Sequence, residues 1–291
     1  MFRKTIMTLI AVLSSAAVFA AGPIKSEAAT ASYIVQADSY LVAKQAVLKV
    51  DGEITHELKI INAVGATLSP SQAGELSQDR RLKIQKDRSA GVSAYTLLSS
   101  TDLSRTSNAG DGPSSYLSTI VGAAGLHLKG LTGRGVTVAV VDTGYYETPD
   151  ISKGPGGARR VLAQYDAIAG ASVSLSADTG AADKNGHGSH VTSVIVNSER
   201  DKEGNYLGVA PGVNIVSVKA FDGNGNGSYL DVIRGLDWIL TNAETYNIRV
   251  VNTSFSAEPQ SHYWDDPINQ AVMRLWYEGI VIVASAGNKG S

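Results

Sequence analysis

Apolar and polar positions along this chain fall into two textures, one after the other. The first covers residues 31–93. Tyr33-Ile34-Val35 reads as a strand, and Leu41, Ala43, Val47 and Leu48 recur at helical spacing within residues 40–50. Residues 57–63 are enriched in β-branched side chains and predict a further strand. Ser69-Pro70 opens a second helix, with serine as N-cap and proline at the first helical position. Residues 82–85 close the set. The order predicted is β-α-β-β-α-β, a small α+β ferredoxin-like unit. A unit of about 60 residues without disulfides is expected to be marginally stable alone.

The second texture runs over residues 116–291. Residues 136–141, 214–220, 249–252 and 280–284 are short, mostly apolar runs that predict strands. Between them lie helical patterns. Residues 191–196 belong to one, and residues 228–241 to another, with Ser228 as N-cap and Asp231 three positions on. Asp266-Pro267 opens a third, which stops at Gly279. Strands alternating with helices predict an α/β domain whose parallel sheet is covered on both faces. Residues 94–115, rich in Ser, Thr, Asn and Gly, read as a linker between the two units.

Composition removes several classes of function. The chain has 43% hydrophobic and 18% charged residues and a formal net charge of −2, so no nucleic-acid partner is expected. It has no cysteine, which excludes disulfides, thiolate metal sites and a cysteine nucleophile. The N-terminus adds an address. Arg3 and Lys4 precede an uncharged apolar stretch at residues 6–19, and small residues surround Ala20 and Ala21. That pattern predicts a signal peptide over residues 1–21, cleaved after Ala20 or Ala21. The stretch is short of the ~20 residues a spanning helix needs. A secreted or periplasmic protein with no stable membrane association after cleavage is the expectation.

Three short constellations carry chemistry. Asp142 ends the apolar run Val138-Ala139-Val140-Val141, ahead of Thr143-Gly144. Sites in open α/β sheets collect at such strand ends, where a partly desolvated carboxylate can orient an imidazole. By itself Asp142 reads equally as a turn cap. His187 lies between Gly186 and Gly188 at the start of a helix, and small neighbours are expected to leave its ring open for proton transfer. His190, three residues on, reads as a structural histidine, and the spacing lacks the form of a helical zinc motif. Asn288 follows the run Val281-Ile282-Val283-Ala284, where an amide can donate to an oxyanion or simply serve a turn. Asp222, Asn224, Asn226 and Gly227 imitate the start of a calcium loop, but Ile233 stands where a bidentate glutamate is required. Gly130, Gly133 and Gly135 precede their strand, which excludes a dinucleotide turn.

In the order Asp142, His187, Asn288, these motifs resemble the subtilisin-like serine peptidases. Residues 133–144 are similar to the family's aspartate motif, His187-Gly188-Ser189-His190-Val191 to its histidine motif, and Ala286-Gly287-Asn288 to its oxyanion motif. Gly208-Val209-Ala210-Pro211 is similar to an intervening segment. The resemblance implies a subtilisin-like peptidase domain over residues 116–291 and an inhibitory propeptide over residues 31–93. It implies that Asp142 orients His187, that His187 acts as general base and then acid, and that Asn288 donates to the oxyanion. It implies that Gly225 and Gly227, with Ser254, Phe255 and Ser256, line an extended peptide substrate by strand addition. The partners implied are protein or peptide substrates and the chain's own propeptide.

The sequence departs from the family in three places. Thr192 and Ser193 replace the usual Ala-Gly after the histidine motif, and Ser256 replaces a usual glycine in the substrate-lining strand. No Gly-Thr-Ser, the family's nucleophile motif, occurs in the 291 residues. The chain is therefore expected to be the N-terminal portion of a secreted endopeptidase precursor, inactive as it stands. The rival expectation is a non-catalytic protein whose first unit inhibits a protease or assists folding. No cofactor or metal site is evident, and a structural calcium is left to the part beyond Ser291.

Overall fold

The computed structural model describes residues 29–92, 117–175 and 183–287. The expected signal peptide and residues 94–115 lie outside the described residues.

The first unit runs β1 (Ala31–Gln36), α1 (Tyr40–Lys49), β2 (Glu53–Leu58), β3 (Ala63–Leu68), α2 (Pro70–Leu76) and β4 (Lys83–Lys86). Its sheet has the order β2-β3-β1-β4, with every pairing antiparallel. Local chemistry sets both helix starts. The Ser39 hydroxyl accepts from the Val42 N–H, and Ser69 and Gln72 form a reciprocal capping box before Pro70. The strand expected over residues 57–63 is corrected. A 3-10 turn at Lys59–Ile61 and Asn62 in the left-handed region (φ 56°) divide it into the end of β2 and the start of β3. The apolar run is real, but Leu58, Ile60 and Ile61 are buried around a corner rather than along one strand.

The unit has two apolar faces. Val35, Val47, Val64 and Leu68 pack into its own small core, whereas Ile34, Leu58, Ile60, Ile61 and Ala63 join the core of the second unit. The second face explains how so small a sheet is covered without disulfides. Polar contacts cross the same boundary. Gln36 Nε2 donates to Gln270 Oε1 (2.8 Å), Lys83 Nζ pairs with Asp265 (2.8 Å), and His56 Nε2 lies 3.2 Å from Asp231 Oδ1. A short strand β5 (Ser89–Gly91) then leaves the first unit and joins the second.

The second unit continues with α3 (Leu117–Ile120), α4 (Ala123–His127), β6 (Thr137–Asp142), α5 (Pro149–Ser152), β7 (Val161–Asp166) and β8 (Ala171–Val173). It then runs through α6 (His187–Val196), β9 (Asn214–Lys219), β10 (Asn226–Ser228), α7 (Tyr229–Asn242), β11 (Ile248–Thr253), α8 (Pro267–Tyr277) and β12 (Val281–Ala284). Its main sheet has the order β12-β11-β6-β9-β7-β8, parallel except for the β7–β8 pair. Alternate residues of β6 supply both faces. Ala139 and Val141 meet Ile233, Leu236, Ala271 and Leu275 of α7 and α8, while Val138 and Val140 share a second core with Val196 of α6. Strands β7 and β8 are additions to the elements expected from the pattern. The start of α7 is as expected, with the Ser228 hydroxyl accepting from the Asp231 N–H, and Asp266 caps α8 ahead of Pro267.

Candidate active site

Asp142 is the last residue of β6 and is fully buried. Its Oδ1 accepts from the Thr143 N–H at 2.8 Å and from His187 Nδ1 at 2.8 Å. His187 is the first residue of α6. The His187 side chain is only 9% exposed. Its ring is thus held in one tautomeric sense, with Nδ1–H toward the carboxylate.

The N-terminus of α6 is pinned by three side chains. Asn185 Oδ1 accepts from the His187 N–H (3.3 Å), Thr143 Oγ1 from the Gly188 N–H (2.9 Å), and Asp183 Oδ2 from the Ser189 N–H (2.8 Å). These are the first-turn donors that no helix can satisfy internally. Asp183 does more than cap. It also accepts from the Ser189 hydroxyl (2.6 Å), the Thr143 hydroxyl (2.8 Å) and the Gly186 N–H (2.8 Å). Burial pushes its carboxyl up, but these hydrogen bonds outweigh burial and hold it below the usual range. Asp183 was missed in the sequence. Its signal was local: an aspartate three residues before a glycine that opens a helix.

The glycines around His187 have a different cause from the one expected. Gly186 has φ +90°, a left-handed conformation that a side chain would strain. Gly188 packs against the turn after β6, where a Cβ would strike the Gly144 carbonyl oxygen. Gly188 thus serves the docking of α6 onto the end of β6, and Gly186 the left-handed turn that opens the helix. His190 is exposed on the helix surface.

The hydrogen bond that His187 donates to Asp142 raises the His187 pKa above its ordinary 6.5, and burial only partly opposes it. The paired imidazolium therefore adds stability that is fully present below pH ~6.5 and is lost as pH rises through the raised value. Titration of the His187 ring by NMR is expected to give a midpoint above 6.5 in the native chain. Asp142→Asn should bring it down, and an unchanged midpoint would refute the pairing.

A groove between two backbone segments, occupied by residues 89–92, lies next to the loop before His187, where Asn185 Nδ2 donates to the Gly223 carbonyl at 3.3 Å. On one side β10 pairs antiparallel with β5, matching Gly227 to Ala90 and Asn226 to Gly91. On the other, Gly91 and Ser256 exchange two backbone hydrogen bonds of 3.0 Å. The Val92 N–H donates to the Gly225 carbonyl at 3.0 Å. Of the expected lining residues, Gly225, Gly227 and Ser256 contact residues 89–92 through the backbone. Phe255 turns against Phe221 (5.1 Å between centroids) beside the core, and the Ser254 hydroxyl accepts from Asn252 Nδ2 (2.9 Å). Asn288 lies outside the described residues.

A buried Asp–His pair at the carboxyl end of a parallel sheet, beside a groove that binds an extended strand, has a counterpart among known proteins. The Subtilase family (Peptidase_S8) matches residues 133–291. This chain belongs to the subtilase family. Within it, the serine protease AprX of Bacillus subtilis (strain 168) is 34% identical over 165 residues, covering 55% of this subtilase and 34% of AprX. The thermostable alkaline protease of Halalkalibacterium halodurans is 28% identical over 284 residues, covering 97% of this subtilase and 67% of that protein. The crystal structure of fervidolysin from Fervidobacterium pennivorans, a keratinolytic enzyme related to subtilisin, superposes with a TM-score of 0.62 at 21% identity, covering 91% of this subtilase and 41% of that chain. This subtilase thus spans between a third and two thirds of these proteins' lengths. The likeness to fervidolysin is one of fold.

Proposed function

We propose that this subtilase is part of a secreted serine endopeptidase precursor. The observation that carries the reading is the 2.8 Å bond between His187 Nδ1 and buried Asp142, set beside a strand-binding groove. In this reading a serine hydroxyl gives its proton to His187 Nε2 as its oxygen attacks the scissile carbonyl. Asp142 stabilises the imidazolium that forms. His187 then passes the proton to the leaving amine, and water releases the acyl group by the reverse sequence. Asn288 is assigned to the oxyanion. The 291-residue sequence contains no Gly-Thr-Ser, so the chain by itself is assigned no turnover.

Residues 31–93 are assigned to an inhibitory propeptide, and 116–291 to the peptidase unit. The support is that Ser89–Gly91 fills the groove as a strand, so a substrate cannot enter until that segment leaves. Secretion rests on the basic, apolar and small-residue pattern of residues 1–21.

The test is the full-length gene product given casein, with and without a fluorophosphonate that acylates active serines. Expected is hydrolysis that the reagent abolishes, slowed when residues 31–93 are added back in trans. Hydrolysis insensitive to the reagent, or a reading frame that ends at codon 291, would sink the peptidase reading.

A further inference from the structure

The segment in the groove is anchored beyond the strand pairing. Arg88 stands three residues before Gly91, the residue that exchanges hydrogen bonds with Ser256. Its carbonyl accepts from the Tyr229 N–H at 2.8 Å, so backbone pairing continues one residue past β10 into the first turn of α7. Its guanidinium enters a site made wholly by the second unit. Nη2 lies 2.5 Å from Asp266 Oδ2, and the guanidinium carbon sits 4.0 Å above the Tyr229 ring centroid. The two charged side chains are 12% and 7% exposed. An ion pair so far from water, stacked on an aromatic face, is of the kind that counts energetically, unlike an exposed one.

The site is built before Arg88 arrives. Asp266 Oδ1 is committed to the N–H groups of Ile268 and Asn269 as the N-cap of α8, which fixes the carboxylate and turns Oδ2 outward. The Tyr229 hydroxyl donates to that same Oδ2 at 3.0 Å, orienting both groups. Burial and the neighbouring Asp266 charge push the Tyr229 hydroxyl up to about 12, so it remains a donor at working pH. When the segment leaves, a carboxylate and a ring stay at the end of the groove with their geometry set by two helix starts.

We propose that Asp266 and Tyr229 form an extended substrate subsite that selects arginine at the position three residues before the one paired with Ser256. The proposal rests on the peptidase reading for its substrate and on the Arg88 contacts for its chemistry. A substrate running through the groove in the register of residues 89–92 places that residue over Tyr229 with its guanidinium on Asp266 Oδ2. Lysine fits less well, because only the planar guanidinium stacks on the ring while donating to the carboxylate.

The experiment has two arms. In the 291-residue chain, amide exchange at Gly91 and Val92 is compared for the native protein, Arg88→Ala, Asp266→Asn and the double variant. Asparagine keeps the α8 cap and removes the charge. Each single variant is expected to exchange about tenfold faster, the double no faster than either, since one pair is lost in each. Unchanged protection in Arg88→Ala would overturn the cation site. In the activated full-length enzyme, acetyl-Arg-Ser-Ala-Gly-Val-Ser-p-nitroanilide is compared with its acetyl-Ala counterpart. Arginine is expected to raise kcat/KM about tenfold, and Asp266→Asn to erase the preference. Equal cleavage of both peptides overturns the subsite and leaves the peptidase reading intact. No cleavage of either overturns the peptidase reading and the substrate preference with it, while the exchange arm still decides the cation site.

Discussion

His187→Ala in the full-length enzyme is expected to abolish peptide hydrolysis while leaving the protein folded. Among the described residues the ring is the titratable group bonded to Asp142, and it begins α6. In the proposed mechanism its loss leaves no base for the nucleophile's proton and no acid for the leaving amine. The expected loss in kcat is on the order of 10⁶, a size known from the equivalent residue of subtilisin rather than derived from this geometry. KM should change little, since residues 225–227 and 256 bind through backbone groups that the substitution does not touch. His190→Ala supplies the contrast. That residue is exposed, so turnover within about twofold of native is expected. A comparable loss in both variants, read with a chromogenic peptide, would refute the assignment of His187.

Gly188→Ala should cause the largest loss of stability from a single added methyl group near the site. Its Cβ would meet the backbone of Gly144, including the carbonyl oxygen, and backbone at a strand end cannot swing aside as a long side chain can. Either α6 lifts from β6 or the turn after Asp142 opens. Each breaks the Thr143–Gly188 bond and moves His187 from Asp142. The expected cost is about 3 kcal/mol or more, the upper range for overpacking. Gly74→Ala in α2 is the control. Nothing lies within 4 Å of its Cβ, and a helical alanine there should be neutral or stabilise by up to about 1 kcal/mol. Urea unfolding of the two variants decides the matter. A Gly188→Ala protein as stable as the native one would show that the contact between α6 and the Gly144 turn is loose.

The sequence by itself determined the elements whose causes are local. The apolar run Val138–Val141 before Asp142 marked a buried strand, because four successive apolar side chains leave neither face of a strand for water. Ser69-Pro70, Ser228 and Asp266-Pro267 marked helix starts, because a capping oxygen acts within three residues of itself. Asp142 and His187 were legible through motifs that each span a few positions. Tertiary structure decided everything that depends on partners far apart in the chain. The pattern over residues 57–63 hid a turn, because the large unit buries Ile60 and Ile61 from outside the small one. The hairpin of β7 and β8 emerged from pairing against β9, where residues 161–166 find a neighbour more than 50 positions away. The local partners of Asp183, Gly186 and Ser189, were within reach of the sequence, but its bond to Thr143, 40 residues earlier, appeared only in the fold. The groove needed two distant segments, residues 225–228 and 256, and its occupant, residues 89–92, comes from a third. Arg88 likewise looked like a surface charge until Asp266 and Tyr229, over 140 residues later, closed around it. Hydrogen bonds and ion pairs reach only about 3 Å, so a one-dimensional pattern records a partner only when the chain keeps it nearby.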